Sequence, residues 1–107
     1  MNDKDLKPLT KSEINSGLKS LPGWKYESDK IFKMFEFASF TEAMQFINGI
    51  VGFCNFIDHH PDINISYKKV RFELTRFSIG GKVTARDFTV AKKIEDDFKK
   101  YTDRKVK

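Results

Sequence analysis

Residues 39–62 read SFTEAMQFINGIVGFCNFIDHHPD, and more of the fold follows from this stretch than from any other. Its apolar residues recur at helical spacing, and Ser39–Glu42 has the spacing of a capping box, which opens a helix. Pro61 cannot continue a helix and restricts His60 to an extended backbone. The stretch therefore predicts a long helix that ends just before the two histidines, followed directly by a strand.

His59 and His60 are the only histidines of the chain, and they are adjacent. Histidine has the unperturbed pKa nearest neutrality, so the pair points to proton transfer. Histidines at a helix end can also simply bind backbone carbonyls or complement the helix dipole. A metal site is not expected, because neighbouring residues of an extended segment point to opposite faces and Cys54 alone cannot complete a usual zinc set.

The long helix is apolar on more than one side. We predict that one stripe faces the core, made of Ala43, Phe46, Ile47, Ile50, Val51, Cys54 and Ile57. Met44, Phe53 and Phe56 fall outside this stripe, and a helix with two apolar sides must bury both. In so small a domain the second side is expected to contact another subunit. The sequence thus predicts a homo-oligomer and leaves dimer or tetramer open.

Two further helices are predicted from the same capping-box spacing. Thr10–Glu13 opens the first, and Thr84–Asp87 opens the last with aspartate in place of the usual glutamate. Asp87 is interpreted here as a helix-start residue. The last helix has a narrower apolar stripe, made of Ala91, Ile94, Phe98 and Tyr101.

Strands fill the intervals between the helices. Trp24–Ser28 and Ile31–Phe37 are typical of a hairpin, and the segments around Ile63–Tyr67 and Val70–Leu74 alternate apolar and polar residues. Tyr67 is expected to be a half-buried strand residue. We predict an α+β fold of order α-β-β-α-β-β-α, a four-stranded antiparallel sheet with three helices packed on one face, and one domain over residues 1–107.

Composition limits the classes of function. The net charge is +5, but acidic residues interrupt the lysines, so a solvated helix face is favoured over direct nucleic-acid binding. No apolar run is long enough to span a membrane. The single Cys54, which lies among Phe53, Asn55 and Phe56 and is interpreted as core packing, indicates a reducing compartment. We expect a cytoplasmic protein, small enough for nuclear entry, with frayed ends over Met1–Lys7 and Thr102–Lys107.

These features together resemble the pterin-4a-carbinolamine dehydratases, some of which double as dimerisation cofactors of a homeodomain transcription factor. The resemblance covers roughly residues 9–98, and its most specific part is the His-His-Pro core with a tyrosine six residues after the proline. The residues that carry it are Leu21-Pro22-Gly23-Trp24, Phe37, Phe40, Ala43, Phe46, Asp58-His59-His60-Pro61-Asp62, Tyr67, Val70, Leu74, Gly80-Gly81, Thr84, Asp87 and Ala91.

The resemblance implies a hydro-lyase that converts 4a-hydroxytetrahydrobiopterin to quinonoid dihydrobiopterin and water in tetrahydrobiopterin recycling, with no metal and no bound cofactor. It implies His59 as the principal acid and base, with His60 binding the pterin or sharing the proton transfer. Asp58 either orients an imidazole or faces solvent at the helix end. The substrate-binding residues implied are Asp58, Pro61, Thr75, Arg76, Phe77 and Ser78.

Two positions depart from the family pattern. Asn55 stands where an ionisable residue is usual, and Phe77 stands where the family has a third histidine or a tryptophan. In the family, histidines on two sides of the pterin serve as alternative proton donors. The departures therefore favour an alternative in which the chain is weakly active or inactive and acts as a dimerisation cofactor whose helix surface binds partner helices.

Overall fold

The structure is a computed structural model that describes the backbone of residues 3–106 and the side chains of residues 5–105. Within these residues a four-stranded antiparallel sheet carries three α-helices, as predicted, and the strand order is β1-β2-β4-β3. The elements run in the order 3-10 helix Asp3–Leu6, α1 Lys11–Leu18, β1 Lys25–Glu27, β2 Lys30–Glu36, α2 Phe40–Ile57, β3 Asp62–Ser66, β4 Lys69–Leu74, 3-10 turn Phe77–Ile79 and α3 Ala85–Val106.

Side-chain hydrogen bonds fix the helix starts at the predicted residues. At Thr10–Glu13 the capping box is complete, because each residue's side chain accepts a hydrogen bond from the other's backbone amide, at 3.1 and 2.9 Å. At Ser39 only the first of these bonds forms, from the Glu42 amide to the serine hydroxyl at 3.1 Å. Each bond satisfies an amide that has no partner inside its helix.

Two tight turns set the register of the sheet. Ser28 and Asp29 both have positive φ, 53° and 60°, as a two-residue hairpin connection with matching twist requires. Tyr67 has a φ of 56° and occupies the turn between β3 and β4. Its side chain is 69 % exposed, so the prediction of a half-buried strand residue was wrong. The reason is that β3 stops one residue earlier, where Ser66 pairs with Lys69.

The core lies between one face of the sheet and the helices. Ile31 and Phe35 of β2 are buried, while Met34, on the other face, is 54 % exposed. Aromatic rings fill much of this layer, with Phe35 meeting Phe72 and Phe98 edge to face at centroid distances of 5.8 and 4.8 Å. Such edge-to-face contacts explain why so many phenylalanines fit in one small core.

The predicted core stripe of α2 is largely confirmed, but its edge is not. Val51 is 45 % exposed, because it lies at the margin of a stripe whose buried members are Ala43, Ile47, Ile50, Cys54 and Ile57. Met44 and Phe53 are partly buried and pack against the core of their own chain. Phe56 is 86 % exposed. Of the three residues predicted to contact another subunit, Phe56 is therefore the one that is almost fully exposed.

Both ends of the described chain have regular structure. Residues 3–6 form a 3-10 helix, and the Leu9 amide donates to the Val83 carbonyl at 2.9 Å, which ties the start of the chain to the segment before α3. At the other end α3 continues to Val106. Fraying of Met1–Lys7 and Thr102–Lys107 stays a prediction, and Met1, Asn2 and Lys107 lie outside the described residues.

Candidate active site

The two histidines leave α2 through a sharp change in backbone direction. Asp58 caps the helix in the left-handed conformation, with φ 52° and ψ 50°. The His59 amide then donates to the Cys54 carbonyl at 3.1 Å, which closes the last turn. β3 begins at Asp62. The helix end and the strand start thus bracket the histidines, as the proline predicted.

Three segments meet around a cavity of about 350 Å³. The first is the end of α2, and the second is the loop after β4. The third is formed by the start of the chain, which lies against the start of α3. The cavity contains every predicted site residue except Pro61, which is half-buried and not part of the lining. Its lining residues are Leu6, Asp58, His59, His60, Thr75, Arg76, Phe77, Ser78 and Arg86.

A closed loop brings Phe77 to the cavity. The Arg76 amide donates to the Lys82 carbonyl at 2.9 Å, and the Gly81 amide donates back to the Arg76 carbonyl at 3.1 Å. Gly80 and Gly81 complete the loop with φ values of 81° and 84°, which residues other than glycine rarely adopt. Phe77 begins the 3-10 turn of this loop and is 60 % exposed. Its ring is therefore available to a flat ligand at the cavity mouth.

His59 is held by a buried carboxylate. Asp87 has no exposed surface, and its Oδ1 is hydrogen-bonded to His59 Nε2. Its Oδ2 accepts from the Thr84 amide at 2.8 Å and from the Thr84 hydroxyl at 3.2 Å. The same carboxylate thus starts α3 and orients the imidazole, leaving Nδ1 of His59 as the nitrogen that can exchange a proton with a ligand.

Sequence analysis gave Asp87 only the first of these two functions. The spacing of Thr84 and Asp87 is fully explained by helix capping, so it gives no sign of a second partner for the carboxylate. A signal was present, because Asp87 belongs to the residues that carry the family resemblance. Asp58 lies exposed at the end of α2, in keeping with the solvent-facing alternative. The carboxylate against the His59 ring is that of Asp87.

His60 has a different environment. It is exposed, and its Nε2 lies 2.9 Å from Oδ1 of Asn55, one turn back on α2. An amide oxygen can only accept, so in the neutral tautomer that makes this hydrogen bond Nε2 would carry the proton and Nδ1 would be an acceptor. The neutral Asn55 orients the ring without adding a charge to it. The two histidines thus differ, since one pairs with a buried carboxylate and the other with an amide.

The remaining polar residues of the cavity are tied to the protein frame. The Thr75 hydroxyl donates to the Asp29 carbonyl at 2.7 Å, and Arg76 Nε donates to the Ser78 hydroxyl at 3.0 Å. Arg86 is 7 % exposed and donates from Nη1 to the Ile57 carbonyl at 3.2 Å. Arg86 was missed from the sequence, where no pattern distinguishes it from the other basic residues of the chain.

Other features of the described residues offer less chemistry. Cys54 is a free, buried thiol, and burial raises its pKa, as expected for a packing residue. Among the side chains of residues 5–105 no group of three or more metal-ligating residues comes together, and no helix within the described backbone has the length and apolar character to cross a membrane. A larger depression of about 650 Å³ lies between α2 and the end of α3, but its lining includes neither histidine.

Comparison with known proteins agrees with this geometry. The family model for pterin 4 alpha carbinolamine dehydratase matches residues 7–96. A Sulfolobus acidocaldarius protein provisionally named pterin-4-alpha-carbinolamine dehydratase is 42 % identical over 86 residues, which cover 80 % of this chain and 93 % of that protein. A Picosynechococcus protein with the same provisional name is 43 % identical over 83 residues, covering 78 % and 89 %.

A solved structure shows the same fold. The crystal structure of a transcriptional coactivator/pterin dehydratase from Brucella melitensis superposes with a TM-score of 0.80 at 30 % identity, covering 85 % of this chain and 98 % of that one. The helix-covered antiparallel sheet and the cavity with two histidines are thus accompanied by similarity over most of the chain. This chain belongs to the pterin 4 alpha carbinolamine dehydratase family.

Proposed function

We propose that the protein is a hydro-lyase that dehydrates 4a-hydroxytetrahydrobiopterin to quinonoid dihydrobiopterin and water in the cytoplasm, as part of tetrahydrobiopterin recycling. The observation that carries the proposal is the buried pair of His59 and Asp87 beside a cavity of about 350 Å³. A cavity at the small end of the range for ligand pockets suits a single bicyclic ring.

The reaction requires two proton movements. The 4a-hydroxyl must receive a proton to leave as water, and the adjacent ring nitrogen must lose one. His59 is suited to the first step, because the Asp87 carboxylate stabilises an imidazolium next to it until the proton is delivered from Nδ1. His60 is suited to the second, because Asn55 leaves its Nδ1 as an acceptor. The cycle closes when the protons re-equilibrate through water at the cavity mouth.

A turnover measurement tests the proposal directly. The carbinolamine is generated in the assay by a pterin-dependent hydroxylase, and its decay is followed by absorbance with and without the protein. We expect the protein to accelerate decay at catalytic concentrations. Decay that stays at the uncatalysed rate at every protein concentration would contradict the proposal and favour a protein-binding function for the chain.

The second candidate function is that of a protein-binding dimerisation cofactor. Two observations favour it: the name of the Brucella melitensis structure includes a transcriptional coactivator, and α2 has an outer stripe that its own chain does not cover. This outer stripe consists of Gln45, Gly49, Gly52 and Phe56, which recur at helical spacing on the side of α2 opposite the core. A partner's helix could lie against it.

We also propose that the outer stripe joins copies of this chain. A side chain added at Gly49 or Gly52 would meet nothing within 4 Å, so the middle of the stripe is flat, and Phe56 at its end is 86 % exposed. Flat glycine surfaces let helices approach closely, and a single ring this exposed is expected to be covered in an assembly. The edge strand β3, exposed at every residue, is a second uncovered surface.

Phe56→Asp is expected to shift the protein toward smaller species, because the charge would have to be buried in the contact between α2 helices. The measurement is molar mass by light scattering at micromolar concentration. Met34→Asp is the matched control, since Met34 is also exposed but lies on the open face of the sheet. A wild-type monomer, or equal masses for the two variants and the wild type, would contradict this assignment of the outer stripe.

A further inference from the structure

The start of the chain forms part of the cavity wall. The Leu9 amide donates to the Val83 carbonyl, and Pro8 pairs with Thr84 in an isolated antiparallel bridge. This short two-strand contact runs toward α3 and places the preceding residues beside the histidines, where Leu6 lines the cavity. The family model begins at residue 7, so Asp5 and Leu6 lie outside the matched residues.

Both arginines of the cavity are bound by that wall. Arg86 Nη2 donates to Asp5 Oδ1 at 3.0 Å, and its Nε lies 3.5 Å from the other carboxylate oxygen. Arg76 Nη1 donates to the Leu6 carbonyl at 2.6 Å. With the bond from Arg86 to the Ile57 carbonyl, all three guanidinium nitrogens of Arg86 have partners. The wall therefore engages both cationic groups from the same side.

Asp5 matters most among these contacts because its carboxylate is the negative charge that pairs with the Arg86 guanidinium. A guanidinium is always protonated, and the side chains of Arg86 and Asp5 are only 9 % and 20 % exposed, so their charges are weakly screened. Without the carboxylate, Arg86 would present a partly buried positive charge to the cavity. Guanidinium groups bind phosphate and carboxylate in the forked geometry that Asp5 now occupies.

We propose that Asp5 sets the charge selectivity of the cavity. By neutralising Arg86 it lowers the positive charge of the cavity, to which Arg76 also contributes, and so it weakens the binding of ligands that carry a phosphate. This proposal rests on the proposed function for the identity of the ring, but the weakening of anion binding is a property of the cavity and can be measured without turnover.

The test compares the binding of inorganic phosphate to the wild type and to Asp5→Asn. Asparagine keeps the shape of the side chain and removes its charge. Binding is followed by NMR through the backbone amides of Phe77 and Ser78, in a phosphate-free buffer of low ionic strength. We expect Asp5→Asn to bind phosphate about tenfold more tightly than the wild type, and the gain to shrink as salt is added.

Three further variants keep the result interpretable. Asp96→Asn makes the same change in net charge at an exposed partner of Lys92 and should bind phosphate like the wild type. Asp5→Glu restores the carboxylate and should restore weak binding, which separates charge from a disturbed chain start. The double variant Asp5→Asn with Arg86→Gln should lose the gain. If Asp5→Asn binds phosphate no more tightly than Asp96→Asn, the proposal is wrong, whatever the wild type does with a carbinolamine.

Discussion

His59→Gln is expected to slow carbinolamine dehydration by about 100- to 10,000-fold, the range that general acid–base catalysis contributes. Glutamine cannot exchange a proton with the ligand, but its amide can still donate to the Asp87 carboxylate. The fold should therefore survive. The measurement is turnover under saturating carbinolamine, with a thermal melt of each variant to confirm that the protein is folded.

His59→Ala should be as inactive but less stable. It leaves the fully buried Asp87 oxygen without the imidazole, and an unsatisfied buried acceptor costs about 1–3 kcal/mol, more when it is charged. The comparison of alanine with glutamine thus separates the catalytic loss from the structural one. Turnover by His59→Gln at the wild-type rate would remove His59 from the mechanism.

His60→Ala serves as the internal comparison. Its ring is exposed and bound only to the Asn55 amide, so its loss should cost little stability. We expect KM to rise more than kcat falls, because the exposed His60 ring is placed to bind the ligand and water at the cavity mouth can accept the ring-nitrogen proton in its place. A larger loss of kcat in His60→Ala than in His59→Gln would reverse the two roles.

Local chemistry made most of the fold predictable. Thr10–Glu13 and Ser39–Glu42 opened helices where predicted, because a capping side chain acts within three residues of its partner. The strand pairs followed from alternation and from short turns. Where the local signal was weak the prediction failed. Tyr67 was predicted in a strand and lies one residue beyond it, in the turn, and Val51 was predicted on the core side of α2 and lies at its exposed margin.

The site was less predictable, because its decisive contacts join distant parts of the chain. The hydrogen bond between His59 and Asp87 spans 28 residues, and the ion pair between Asp5 and Arg86 spans 81. Neither pair leaves a periodic or spacing signal in the sequence. Asp87 was also fully explained by its local position as a helix-start residue. Its second function, the hydrogen bond to His59, therefore could not be inferred from the helix-capping pattern.

Phe77 gives the second large prediction, which concerns stereochemistry. The 4a-hydroxyl of the carbinolamine can project from either face of the pterin ring, and the family resemblance implies histidines on two sides as alternative proton donors. Phe77, which lines the cavity, stands at the position where the resemblance implies the second donor. We expect unequal turnover of the two stereoisomers, with one close to its uncatalysed rate. The measurement is the decay of each isomer separately.

Neither neighbour of Phe77 is well suited to replace the missing imidazole. A guanidinium group does not act as a proton donor in proteins, and Nη1 and Nε of Arg76 already donate hydrogen bonds to the Leu6 carbonyl and the Ser78 hydroxyl. The Ser78 hydroxyl is a weak acid. Water at the open mouth remains as a donor, but water is also the donor in the uncatalysed reaction, so it cannot by itself raise the slower rate.

Phe77→His should raise the rate of the slower isomer by about 100-fold, the lower end of the contribution of a positioned acid. The side chain is 60 % exposed, so the substitution should change stability by less than about 0.5 kcal/mol, as is usual for surface positions. Phe77→Leu is the matched control, because it removes the ring without adding a donor and should leave the inequality in place. Equal rates for both isomers in the wild type, with no gain in Phe77→His, would mean that another group protonates the second face. In that case the loop from Arg76 to Lys82 would serve only to bind the pterin.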